Sequence, residues 1–357
     1  MEQSLKVGRT TIGSLVLGEL FDNPEATAET VGIVEEYGNG VSAIEFEGDI
    51  RVVRPLPKGF SVTRYQRLSE VIAGAYNSEY ISLRPGVPQP FSAFFEEKGE
   101  QRRKNFISLP YVEGEIIQQP DDFLGMDKEF QRGVLRGLAE GEYQLTTSAW
   151  NNADIAALFK PKWKYVGNIT PITFRCFQLA LNGSIVYVPS LLYEIKRFGI
   201  DQIEKSFPKR MFYQQGNCEL YISRPGALLQ DNRLVLLEVA HAGRIPYPGQ
   251  DLAKLVGRTI LPSVPGHNYG DREECVALAQ VAITVLLETW ANELDPADVE
   301  KAFAILVFLQ LIESYADNRW HLDRMKEKII PGKQEWLQTR LGTALMFYRC
   351  IFPGLGH

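Results

Sequence analysis

From Thr10 to Phe60, apolar and polar positions alternate in short β-branched runs broken by turns. Thr30 to Tyr37 and Val41 to Phe46 flank Gly38-Asn39-Gly40, a compact polar turn between two alternating runs, and this predicts a hairpin. Glu47-Gly48-Asp49 sets off a third run, Ile50 to Arg54, closed by Pro55 and Pro57, so a three-stranded meander is expected. The period then changes. Leu68, Val71, Ile72 and Ala75 recur at helical spacing and predict a helix over Arg64 to Tyr76. Pro85, Pro88 and Pro90 interrupt regular structure, because each fixes φ and removes an N–H. Phe91 to Phe95 and Phe106 to Val112 are β-prone runs on either side of the charged stretch Glu96 to Asn105, which predicts a projecting hairpin with a charged tip. Asp127 to Glu140 reads as a helix weakened by Gly133 and Gly137, each by up to about 1 kcal/mol. Glycines four apart permit either close packing of a partner element or fraying.

The middle of the chain, Ile169 to Ile260, mixes strands (Ser184 to Val188, Cys218 to Ile222, Leu234 to Ala240) with a helix around Leu191 to Phe198. Turns at Asn182-Gly183, Pro225-Gly226 and Asp231-Asn232 punctuate it. Beyond Pro265 the pattern is helical. Asp271, with Glu273 and Glu274 in the first turn, starts a helix to about Asn292; Asp295-Pro296 starts a second that ends at Pro331-Gly332; a third runs from about Gln334 to Tyr348. Leu278, Val281, Val285, Phe303, Val307 and Leu345 are the expected core of this part. The fold class is therefore α+β, with a β-rich segment at 1–60, a mixed body at 61–265 carrying the hairpin arm near 91–112, and a helical domain at 266–357.

Bulk composition narrows the classes. The chain has 357 residues, 45% hydrophobic and 23% charged, which is globular. With 44 acidic against 38 basic residues its formal charge is −6, so no global positive field draws it to nucleic acid or membrane, and any anion-binding surface is local. Cys176, Cys218, Cys275 and Cys350 form no C-x-x-C pair, and buried free thiols in a reducing, cytoplasmic compartment are expected. The start, Met1-Glu2-Gln3-Ser4-Leu5-Lys6, lacks the basic and apolar regions of a secretory signal. Val276 to Trp290 is apolar but interrupted by Gln280, Thr284 and Glu288, and shorter than the roughly 20 residues a bilayer span needs.

The chemistry-bearing signatures G-x-x-x-x-G-K-[ST], G-x-S-x-G and H-E-x-x-H are absent, and no G-x-G-x-x-G follows a strand. His267 beside Asp271, Glu273 and Glu274 could act as an acid, base or metal group, although first-turn carboxylates also serve the helix dipole. His241 follows an apolar strand, near Arg244. Basic and aromatic residues interleave at Lys160, Lys162, Trp163 and Lys164 and again at Lys209, Arg210 and Phe212, the composition of a groove that holds single-stranded nucleic acid by phosphate contacts and stacking. Lys98, Arg102, Arg103 and Lys104 form a third basic cluster, suited to an assembly arm.

The order of charged hairpin, Phe106 to Val112 with Pro110-Tyr111, helix, and Gly141-Glu142-Tyr143-Gln144-Leu145-Thr146 resembles tailed-phage major capsid proteins, in which an extended loop precedes a spine helix. The apolar helices after residue 271 depart from that pattern, and no family is assigned. The functional expectation is a non-enzymatic structural subunit of a homo-oligomeric or larger assembly: a viral shell, tail or nucleoprotein component, in the cytoplasm or a virion. Its partners would be copies of itself or other subunits, with single-stranded nucleic acid as a further partner, no membrane, no cofactor and no metal. An RNA- or DNA-binding effector subunit, or an enzyme with a site near His241 and His267, are the alternatives.

Overall fold

The computed structural model describes residues 3–38, 41–56, 60–84, 86, 88–114, 123–161, 207, 210–216, 227–237, 239, 242–260, 269–304, 306, 307 and 310. The chain divides into two compact units, one of residues 1–70 and 84–114, the other of 71–83 and 115–357.

The first unit is a seven-stranded antiparallel sheet. Its strands are β1 (Ser4–Val7), β2 (Thr10–Gly13), β3 (Gly32–Gly38), β4 (Val41–Phe46), β5 (Asp49–Pro55), β7 (Gln89–Glu97) and β8 (Glu100–Pro110), in the order β1-β2-β7-β8-β5-β4-β3. The expected meander is β3–β4–β5, with Ile33 opposite Ile44 and Ile44 opposite Arg51. Glu47 and Gly48 form the second turn at φ 50° and 87°, the left-handed pair that matches strand twist in a two-residue hairpin. The hairpin β7–β8 turns through Lys98 and Gly99 at φ 57° and 80°. It differs from a projecting arm. It occupies the middle of the sheet, with β2 bonded along β7 and β5 along β8. The alternation explains this placement: Ala93, Phe95 and Phe106 need a covered face and find it in the core with Val7, Ile12, Leu17, Phe21, Ile44 and Val53. Helix α1 (Ser14–Phe21) supplies Leu17, Leu20 and Phe21 to that core. Helix α2 (Val62–Ala75), close to the predicted span, buries Tyr65, Leu68 and Ile72.

The second unit begins with β6 (Ile81–Leu83), parallel to β12 (Arg233–Leu236), which pairs with β11 (Ala227–Gln230) through the predicted turn at Asp231-Asn232, φ 49° and 58°. Asp127 caps helix α3 (Lys128–Asn151), its Oδ1 accepting the N–H groups of Glu129 at 2.8 Å and Phe130 at 3.3 Å. The helix passes the expected end at Glu140 because the apolar spacing does not stop there: Leu138, Leu145 and Ala149 continue one buried face. Asn152 then caps the short helix α4 (Ala153–Leu158). A small sheet follows, β9 (Lys160–Pro161), β10 (Phe212–Gln214) and β13 (Gly243–Ile245), in the order β10-β13-β9. Helix α5 (Gln250–Leu255) leads into a π turn, Val256–Ile260.

Helix α6 (Tyr269–Trp290) is the first of the predicted C-terminal helices. The next covers 296–304 and is capped as expected by Asp295, whose Oδ1 accepts from Ala297 N at 2.8 Å. Leu278, Val285, Phe303 and Val307 are buried and Val281 half-buried. Leu345, the third C-terminal helix, and the predicted elements at Ser184 to Val188, Leu191 to Phe198 and Cys218 to Ile222 lie outside the described residues. Cys275 is buried. Among the described residues no helix is long and apolar enough to cross a membrane.

Candidate functional site

The most unusual polar cluster of the second unit is assembled by α3. Gly133, Gly137 and Gly141 form a stripe along the helix, and side chains from 76–81 fill it: Tyr80 lies over Gly133, Ser78 and Ile81 over Gly137, and the Tyr76 ring over Gly141. A Cβ on Gly141 would sit 2.6 Å from Tyr76 Cδ1. Close approach of the backbone is therefore what the glycines provide, and of the two outcomes their spacing allows, the structure takes packing over fraying. It sets Tyr76, 1% exposed, with its hydroxyl donating to Asp251 Oδ2 at 2.5 Å.

Asp251 is fully buried at the start of α5. Its Oδ2 also accepts the N–H of Gln215 at 2.8 Å, and its Oδ1 accepts the N–H of Gly216 at 2.8 Å. Lys254 Nζ donates to the carbonyl of Gly216 at 2.7 Å. The two residues that leave β10 are thus gripped through two successive N–H groups and one carbonyl. β10 itself is anchored one step earlier, where Tyr213 donates its N–H to Thr146 Oγ1 of α3 at 2.9 Å. Gly216 adopts φ 81°, a left-handed turn that a side chain would strain.

Next to this grip lies a second buried carboxyl, Glu142 of α3, 1% exposed. It accepts the N–H groups of Gly249 and of Asp251, the latter at 3.1 Å. Burial, and next the Asp251 charge, push its carboxyl up to about 8, while the backbone donors pull the other way. Gly249 sits at φ 85° and is packed against Leu286 and Phe303.

In the first unit, Arg54 on β5 is half-buried. Burial lowers its pKa, with Tyr65 of α2 acting in the opposite sense. A guanidinium stays protonated under such a shift and remains a cation inside the unit.

The residues singled out from sequence are placed as follows. Lys160 on β9 and Arg210 are exposed; Arg210 lies 5.4 Å over the Trp150 ring and donates to the Glu293 carbonyl at 3.2 Å. Phe212 is 1% exposed and packs edge-on against Trp290 and Phe207, so its ring offers no free face for stacking. In the β7–β8 hairpin, Lys98 is a turn residue. Arg102 donates to Glu100 Oε2 at 2.6 Å, Lys104 to Glu97 Oε2 at 3.0 Å, and Arg103 lies opposite Phe94. Carboxylates within the same hairpin thus answer much of its basic charge. Lys162, Trp163, Lys164, Lys209, His241 and His267 lie outside the described residues; Arg244 is on β13, opposite Tyr213. Tyr76, Glu142, Asp251, Lys254 and Arg54 escaped the sequence reading. The only signal was a charge inside an apolar-spaced element, Glu142 within α3 and Arg54 within β5.

No protein-family model matches the sequence, and no curated protein matches it. Solved structures do. A choline kinase from Cryptosporidium parvum Iowa II is similar over 95% of this chain and 97% of its own, with a TM-score of 0.50 and 13% identity. An amicoumacin kinase, in complex with AMP-PNP, Ca2+ and Ami, is similar over 90% of this chain and 92% of its own, with a TM-score of 0.50 and 11% identity. These likenesses correct the functional expectation. The chain takes, over nearly its whole length, a fold that its solved neighbours use as enzymes; the reading as a non-enzymatic, viral or assembly subunit is withdrawn, and the capsid resemblance with it. That reading rested on missing motifs, a charged projecting hairpin and three separated basic clusters. The first is no argument against catalysis, and the second is the centre of a sheet. What the two likenesses establish is the fold: this chain has the fold of these two kinases.

Proposed function

We propose that the chain is a phosphotransferase, which moves the terminal phosphoryl group of a nucleoside triphosphate to a small-molecule acceptor. The observation that carries the proposal is the fold shared with two kinases over 90% or more of the chain, one of them solved with AMP-PNP. Phosphoryl transfer asks a protein mainly for positioning and electrostatic stabilisation. Two features support that role, each within its own unit. In the first unit, protein kinases cover the nucleotide phosphates with a glycine-rich loop and meet them with a basic residue on a sheet strand. Here the β3–β4 hairpin carries Gly38-Asn39-Gly40 in sequence, and Arg54 is a half-buried cation of β5. In the second unit, the Asp251 and Lys254 grip fixes the start of the segment after β10, so that its further residues leave from a set backbone position. Magnesium would arrive with the nucleotide as part of the substrate. Among the described residues no three His, Cys, Asp or Glu side chains are grouped to hold a metal ion, and no step is assigned to one.

One sequence feature favours a second reading, nucleotide binding without transfer. The chain has neither H-R-D-x-x-x-x-N nor D-F-G, and the segment after β10 begins Gln215-Gly216-Asn217, with no aspartate before Pro225 to accept the proton of an acceptor hydroxyl.

The two readings separate in one experiment. Calorimetric titration with AMP-PNP and magnesium should show saturable binding, and Arg54→Met should weaken it about tenfold, the equivalent of one charge-assisted hydrogen bond of about 1.5 kcal/mol. ATP with a panel of amino alcohols and aminoglycosides, followed by phosphorus NMR, then reports transfer. Binding with no phosphorylated product across the panel supports the second reading. Absence of nucleotide binding to the folded parent overturns both.

A further inference from the structure

We propose that Glu142 is a positioning residue that acts through its proton: protonated, it holds the Gly249–Asp251 turn and, through Asp251, the Gln215–Gly216 chain, and losing the proton loosens both. The geometry is a relay of buried groups. Glu142 receives the N–H groups of Gly249 and Asp251, and the Asp251 side chain receives those of Gln215 and Gly216, so one carboxyl fixes the backbone whose side chain fixes the next backbone.

The charges around Glu142 decide which form fits. From α5 it faces Asp251, and Lys254 lies one turn on with its ammonium committed to the Gly216 carbonyl. From 71–83 comes the Tyr76 hydroxyl, already donating to Asp251. On α6 and just beyond it, Glu274 pairs with Lys128, Glu288 with Arg136 and Glu293 with Tyr143, elsewhere along α3. Asp251 accepts from three buried donors, Tyr76 Oη–H and the N–H groups of Gln215 and Gly216. Glu142 takes its hydrogen bonds from backbone N–H groups of the same turn, Gly249, Gln250 and Asp251, and has the like charge of Asp251 beside it. Gln250 Oε1, in the same turn, is buried without a hydrogen-bond partner among the described residues. An ionised Glu142 would set two negative charges side by side away from water, and separation of α5 from α3 relieves them.

The sign follows from linkage. A carboxyl whose folded value stands at about 8, against 4.5 ordinarily, gives the folded state a proton that the unfolded state releases; this stabilisation is complete below about pH 4.5 and is lost as pH rises through about 8.

Hydrogen–deuterium exchange on the intact chain, corrected for the intrinsic pH dependence of exchange, tests the relay without reference to catalysis. Peptides covering 212–216 and 249–253 should lose protection as pH rises past about 8, while those covering β4 and β5 do not. Glu142→Gln keeps the shape of the neutral carboxyl and cannot ionise, so its protection should stay level over the same range. A parent whose protection is level through about pH 9, or a Gln variant that loses protection just as the parent does, overturns the proposal. Should the variant fold poorly, infrared spectroscopy of the parent decides: a carboxylic-acid carbonyl band present at neutral pH and bleaching near pH 8 supports it, and a spectrum without that band at neutral pH overturns it. Only the value of the gripped chain for phosphoryl transfer rests on the phosphotransferase reading, and a failure of that reading shows as missing turnover with the exchange result unchanged.

Discussion

Asp251→Ala should unfold the second unit at markedly lower urea than the parent. The carboxylate is the common acceptor for Tyr76 Oη–H, Gln215 N–H and Gly216 N–H, all buried. Removing it strands three donors away from water, at about 1–3 kcal/mol each if they acted singly. They share one acceptor and are not additive, so the expected loss is about 3–5 kcal/mol, the range for breaking one side of a buried charged network. Asp251→Asn should recover little of it. An amide has one acceptor oxygen for donors that approach both carboxylate oxygens, and its own N–H₂ would face a donor. Tyr76→Phe, which removes one donor and leaves the acceptor with two, is the graded control and should cost about 1–2 kcal/mol. An Asp251→Ala variant within about 1 kcal/mol of the parent would mean that water replaces the carboxylate, and that the grip on Gln215 and Gly216 is not what orders this part of the chain.

The first unit was readable because its strands are amphipathic and its turns chemical. Gly38-Asn39-Gly40 with alternating neighbours gave the β3–β4 pair, and Glu47-Gly48-Asp49 the next. Position within the sheet was not readable in the same way. β7 and β8 gather their charge around the turn and their aromatic and aliphatic residues away from it, as a two-stranded arm would, and their role as central strands depends on β2 and β5 pairing along them from far away in sequence. Local pattern specifies which face of a strand is apolar, but not which strands stand beside it.

The site was hidden for a related reason. Glu142 and Asp251 are separated by more than a hundred residues, and each alone has an ordinary reading, a charge on the polar side of a helix or an acid in a first helical turn. Only the fold brings one carboxyl onto the backbone of the other. The residues chosen instead, the runs around Lys162 and Arg210, were chosen by composition, and Phe212 shows how composition misleads: flanked by basic residues in sequence, it is a core residue between Trp290 and Phe207. The missing catalytic signatures misled in the other direction. Motif searches detect particular loop sequences, whereas this fold is specified by strand order and helix packing, which many sequences satisfy.

Replacing Gly141 by alanine should destabilise the chain although alanine is the better helix former. By intrinsic propensity the change would gain about 1 kcal/mol in a helix interior. The added methyl, however, would lie 2.6 and 2.8 Å from Tyr76 Cδ1 and Cε1, inside the contact distance of a ring that is 1% exposed. Overpacking of this kind costs about 1–3 kcal/mol. Pushing the ring also draws the Tyr76 hydroxyl away from Asp251, where a hydrogen bond to a charged group is worth about 1.5–3 kcal/mol. The balance is a net loss of about 2–4 kcal/mol. Gly74→Ala gives the matched comparison: it is also a helical glycine, on α2, exposed and with nothing within 4 Å of the added Cβ, so there the propensity gain should stand alone and raise stability by up to about 1 kcal/mol. Urea denaturation of the two single variants against the parent should therefore give shifts of opposite sign. If both shift upward, the α3 glycines are replaceable, Tyr76 has room beside Gly141, and the packing that aims its hydroxyl at Asp251 is looser than the structure shows.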